Sequence, residues 1–179
     1  MHIPRPPHNW KISLKTASRL QKKLARRLVL RGDLPQCRLI CGVDAAFSSD
    51  GGFCIGGAVL WDRETGKVVE SHWAEKEILF PYVPGYLTFR EAPAVIAALR
   101  KLKIVPDVII CDGQGIAHPR KMGIAAHLGV IVDMPTIGCA KSRLVGEYEK
   151  KQFQRFQCSN GSNSSNSSNG SSGWNGWNG

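Results

Sequence analysis

No stretch of this sequence approaches the roughly 20 consecutive apolar residues that span a bilayer. The opening MHIPRPPHNW lacks the apolar core of a secretory signal, so a cytoplasmic protein with no membrane partner is expected. None of the six cysteines forms a C-x-x-C pair, which sets zinc and thioredoxin-like chemistry aside. Most sit in apolar runs such as LICGV and VIICD, and buried free thiols are the expected state. Acid is missing early: between Arg5 and Arg31 there are nine Lys or Arg and no Asp or Glu. Apolar residues are almost missing late. From Ser159 onward the chain is mostly Asn, Ser and Gly, with Trp174 and Trp177 the exceptions. Such a stretch cannot bury enough surface to offset its ordering entropy. A globular domain over 1–150 and a divergent, disordered tail over 151–179 are therefore expected.

What is present in excess is positive charge. Lys and Arg number 24 against 14 Asp and Glu, a net +10. That balance favours an anionic partner such as nucleic acid, because each neutralised phosphate releases counterions. A basic, merely soluble surface would give the same count. Within the acid-free segment, Ala17, Leu20, Leu24 and Leu28 recur at helical spacing, which predicts an amphipathic helix with a basic outer face. That face suits phosphate contact or simple solvation alike.

Three strand-like runs follow, at 38–47 (RLICGVDAAF), 56–61 (GGAVLW) and 67–73, joined by short turns as in an antiparallel meander. A loop rich in Pro and Gly, FPYVPGYLTFREAP, leads into a helix predicted over 87–102 and tightened at Pro93. The run 107–111 (DVIIC) reads as a fully buried strand. The Gly-rich DGQGIAHPRKMG and a short helix come next, then a strand over 130–133 and 136–138 broken at Pro135. A mixed α/β sheet with helices on its faces is implied. The element order is the ribonuclease H-like one, although periodicity alone does not single out that fold.

Three carboxylates stand out. Asp44 follows LICGV, Asp112 follows DVIIC, and Glu91 opens a predicted helix. An acid ending an apolar strand is costly unless it is paired, hydrogen-bonded or metal-bound. Hard oxygen ligands of this kind suit Mg²⁺ or Mn²⁺. Helix capping or pairing with Arg or Lys would account for the same residues. Gly113 and Gly115 allow close backbone approach and offer amide donors. His118 has the chemistry to shuttle a proton or hold a leaving oxygen, and Lys141 to steady a charged phosphate. Taken alone, His118 is more often a surface or structural histidine and Lys141 an ordinary solvated lysine. Tyr82, Tyr86 and Phe89 lie beside Glu91 on a stiff loop, where aromatics can stack on bases; Phe89 is expected in the core.

The segments GVDAAF, FPYVPGYLTFREAP, PDVIICDGQGIAHPRKMGIAAHLG and PTIGCAKSRLVG, in this order, resemble the motifs of the endonuclease V family. The resemblance covers roughly 17–148. It implies a ribonuclease H-like fold and a Mg²⁺- or Mn²⁺-dependent endonuclease that cuts 3′ to a deaminated base, chiefly hypoxanthine, in DNA or RNA during repair. It implies Asp44, Glu91 and Asp112 as metal-site carboxylates, His118 and Lys141 as catalytic helpers, and Tyr82 as a strand-separating wedge. Pro84 falls in the same nucleic-acid-binding set, while Gly85, Leu87, Gly113, Ile124 and Leu144 match positions that shape a pocket for a flipped base. A monomer is expected. Beyond Tyr148 the family's further strand and helix are not matched, so a C-terminally incomplete fold with part of one sheet face bare is expected. Two rival readings stay open: a catalytically weak nucleic-acid-binding remnant of the same fold, and an actin-like phosphotransferase, for which no second phosphate loop is found.

Overall fold

A computed structural model describes residues 1–30 and 36–147. The expected tail over 151–179, with Cys158, lies outside them. The elements run α1 (Leu14–Ala25), β1 (Leu39–Phe47), β2 (Phe53–Asp62), β3 (Lys67–Glu77), α2 (Thr88–Leu99), β4 (Val108–Asp112), α3 (Ile124–Val132) and β5 (Thr136–Cys139). β1, β2 and β3 form the expected antiparallel meander; β4 then adds parallel to β1 and β5 parallel to β4, giving the order β3-β2-β1-β4-β5. This is the ribonuclease H-like mixed sheet.

Alternation along the strands decides which face is dry. Cys41, Val43, Ala58, Leu60, Ile109 and Cys111 point to one side and join α2 and α3 residues such as Val95, Leu99, Leu128 and Ile131 in the main core. On the other side Val59, Trp61, Trp73 and Ile137 are 37 to 64% exposed, and no described helix packs there. α1 begins at an N-cap where Ser13 accepts from the Thr16 amide, and it packs against α3 through Leu24, Met122 and Ala126.

Some expectations need correction. Val130–Val132 belong to α3 and not to a strand. Asp133, in the left-handed conformation at φ 55°, ends the helix, and β5 starts only after Pro135. α2 runs on through Pro93 as expected, but it spans Thr88–Leu99 and stops short of 102. Ile110 is half-buried because it faces the open side, so β4 is not dry throughout. Cys41, Cys54 and Cys111 are buried free thiols as expected, whereas Cys139 is exposed.

Candidate active site

Strand register brings two carboxylates together. β1 and β4 pair Val43 with Cys111, so the next residues, Asp44 and Asp112, stand side by side at the same end of the sheet. Val43 and Cys111 turn into the core; Asp44 and Asp112 therefore project from the open face, where both are exposed. Gly57 pairs with Asp44 and Cys139 with Asp112, extending the row across the sheet. A cavity of about 530 Å³ opens over this row, and Lys141, just past β5, lines it together with both aspartates.

Glu91 arrives from the first turn of α2 and is 8% exposed. A Cβ on Gly56 of β2 would collide with the backbone of Ala94 and Val95, so glycine there admits the helix close against the sheet. Burial pushes the Glu91 carboxyl up to about 7, the charges of Asp44 and Asp112 add to the rise, and Arg90 opposes it. Glu91 thus feels the charge of both aspartates. Asp44 Oδ1 accepts from the Ala45 amide at 2.7 Å. Among the described residues, none of the three forms an ion pair with Lys, Arg or His. Nor, among these residues, do three or more His, Cys, Asp or Glu converge closely enough to cage a metal as they stand. Mg²⁺ and Mn²⁺ do not require a cage: they keep waters and bind through one or two carboxylates plus substrate oxygens. A repelling set of hard oxygen donors with no ion-paired protein cation fits such an ion.

His118 is 5% exposed, and both its ring nitrogens are engaged. The Arg120 and Met122 amides donate to Nδ1 at 3.2 and 3.4 Å, and Nε2 lies 2.9 Å from the Gly85 carbonyl. A carbonyl only accepts, so the proton sits on Nε2 and the ring is neutral. Burial lowers its pKa, the bond to Gly85 opposes that, and Arg120 adds to the lowering. His118 is thereby tied to the Gly85 loop, and to meet a substrate oxygen it would exchange its Nε2 bond to Gly85.

Other expected residues scatter around this centre. Tyr82 is 73% exposed, with the Arg90 guanidinium 5.8 Å from its ring centroid. Pro84 and Leu87 are exposed on the same loop. Gly113, at φ +144°, abuts Ile124: a Cβ there would sit 2.6 Å from Ile124 Cγ2. Its amide donates to Cys139 O at 3.3 Å, so it anchors β5 and is not free for a ligand, contrary to expectation. Leu144 is 53% exposed, outside the lining of the cavity. Phe89 is fully buried, as expected. Three residues were missed: Arg90, whose guanidinium also lies 5.0 Å from the Phe47 ring, Arg120, and Gln21. Gln21 had a signal, since it falls four residues after Ala17 and three before Leu24, a polar side chain on the buried line of α1.

A family model for Endonuclease V matches residues 22–170. Endonuclease V of Azotobacter vinelandii is 50% identical over 143 residues, covering 80% of this chain and 65% of the relative. That of Nostoc punctiforme is 46% identical over 144 residues with the same two coverages. The chain therefore spans about two-thirds of the length of these curated relatives. The crystal structure of Streptomyces avermitilis Endonuclease V superposes with a TM-score of 0.72 at 41% identity, covering 79% of this chain and 63% of that one. Ciona intestinalis Endonuclease V, solved in complex with a 24mer DNA containing an inosine, gives 0.66 at 28% identity, with 72% and 58% covered. With the matched family model, these identities and the row of carboxylates in place, the chain belongs to the Endonuclease V family.

Proposed function

We propose that this chain is a metal-dependent endonuclease that hydrolyses the phosphodiester 3′ to a deaminated base, hypoxanthine or inosine, in DNA or RNA. The observation that carries the reading is the juxtaposition of Asp44 and Asp112 at the ends of parallel strands, with Glu91 buried within reach of their charge. Asp44, Glu91 and Asp112 would hold Mg²⁺ or Mn²⁺, whose chemistry is to neutralise charge developing on the phosphate. Lys141, on the same cavity, balances the scissile phosphate electrostatically. Tyr82 is exposed enough to stack on a base and hold strands apart. Gly113 and Ile124, in contact, form one wall of a pocket for a flipped base, with Gly85, Leu87 and Leu144 contributing from the neighbouring loops. His118 supports the reaction by fixing Gly85. The Ciona relative was solved with inosine-containing DNA, which supports this substrate class.

The test is a nicking assay on an inosine-containing oligonucleotide with Mg²⁺, comparing the chain with Asp112→Asn. Cleavage one nucleotide 3′ to inosine, lost in the variant together with Mn²⁺ binding, is the expected result. Inosine-selective binding without cleavage would instead make this chain a binding remnant of the fold. Unchanged Mn²⁺ affinity in a folded Asp112→Asn protein would refute the metal assignment.

A further inference from the structure

One backbone carbonyl in this molecule collects three donors. Gly85 O accepts from Gln21 Nε2 at 3.1 Å, from His118 Nε2 at 2.9 Å and from Arg120 Nη2 at 2.7 Å. Gln21 is fully buried on α1, far from Gly85 in sequence. Its Nε2 also donates to Met122 O at 3.2 Å, and its Oε1 accepts from Arg120 Nε at 2.6 Å. The amide has one possible orientation here, because two of its partners are carbonyls and the third is a guanidinium N–H. Gly85 takes φ +80°, and a Cβ on it would lie 2.9 Å from Arg120 Nη2. The Arg120 guanidinium, held by Gln21, lies 4.1 Å from the centroid of the Tyr86 ring.

We infer that Gln21 is a positioning residue that latches the loop carrying Tyr82, Pro84 and Gly85 onto the basic helix α1 and onto the loop after β4. The inference rests on the reading of that loop as the base-recognising one. Three parts of the chain meet at this side chain: α1, whose Lys22 and Lys23 face outward; the Pro- and Gly-rich loop ahead of Glu91; and the segment following Asp112. A buried amide on one segment whose partners lie on two others fixes the mutual geometry of all three. Where the basic face of α1 takes phosphates, this tie would hold the wedge at a set distance from the strand. Helix burial alone does not need this arrangement, since a leucine on the same stripe would fill the space without bonding to Gly85.

Two variants separate these roles. Gln21→Met keeps the volume and removes every hydrogen bond. Gln21→Glu keeps an acceptor for Arg120 and, ionised, loses both donors, setting an oxygen against Gly85 O and Met122 O. Hydrogen exchange over residues 81–87 should accelerate in both by roughly tenfold or more, as befits the loss of a buried hydrogen bond. The affinity ratio for an inosine-containing over an unmodified oligonucleotide should fall by about the same factor, while affinity for the unmodified strand holds. A lowered melting temperature with unchanged loop exchange and an unchanged ratio would make Gln21 a packing residue and overturn the inference. Wild-type exchange in Gln21→Glu would overturn it equally. If the wild-type chain shows no preference for inosine, the functional reading fails, and the exchange measurement alone decides the latch.

Discussion

His127 is fully buried on α3, with Nε2 3.0 Å from His8 Nε2 and, among the described residues, no partner for Nδ1. Burial drives its pKa down to about 3, and the nearby His8 adds to the fall. A base held neutral in the fold and free to protonate when unfolded contributes stability that is present above about pH 6.5 and lost as pH falls below it. Each unit of pH below that point should cost up to about 1.4 kcal/mol. His8 and His118, also lowered mainly by burial, act in the same direction. Thermal melts from pH 7 to 4.5 should therefore show a steep fall in the wild type and a shallower one in His127→Phe; parallel curves would rule out this source. Tyr82 is a residue of the opposite kind, 73% exposed and free to meet a ligand. Stacking on a base is worth about 1–3 kcal/mol. Tyr82→Ala is expected to weaken binding to inosine strands more than to unmodified ones, and equal losses in a competition assay would remove it from lesion reading.

At the scale of elements, α1 combines a buried line of Ala17, Gln21 and Leu24 with outward Lys22 and Lys23. If Lys22 and Lys23 touch phosphates, Lys22→Ala with Lys23→Ala should flatten the salt dependence of binding by roughly two units of slope. An unchanged slope would return this face to plain solvation. The helix was legible because apolar residues recur at its period. The meander was legible because alternation and short turns leave few other pairings. The run IAAHLGVIVD was misread in part: a continuous apolar stretch has no period that separates helix from strand, and the helix end is set by the left-handed Asp133. Asp44 and Asp112 could be singled out as acids ending apolar strands. Their adjacency depends on a parallel pairing that no local pattern encodes. The bond from His118 Nε2 to Gly85 and the Gln21 latch were out of reach for the same reason: their partners lie in distant segments. Within one strand, Leu60 is fully buried while Trp61 is 37% exposed. Leu60→Ala should cost about 2–5 kcal/mol in denaturant titrations, with Trp61→Thr costing far less.

For the whole molecule, the carboxylates link β1, α2 and β4, which are separate in sequence. A divalent ion held by them would stabilise the fold by mass action, about 2.7 kcal/mol at a hundredfold excess over its Kd. Titrating Mn²⁺ should raise the melting temperature of the wild type and leave Asp112→Asn nearly unmoved. The strand order also sets a timetable. β1, β2 and β3 close on one another through short turns, whereas pairing Ile40 with Val108 must first close a long loop, at an entropic cost that grows with loop length. On loop-closure cost the site is expected to assemble after the meander, with α2 crossing between. In that order the Asp112 charge comes within reach of the buried Glu91 beyond the folding barrier, and its repulsion of Glu91 weighs on the native state more than on the transition state. In chelator, Asp112→Asn should therefore slow unfolding and leave the refolding rate nearly constant, a division that stopped-flow chevrons read directly.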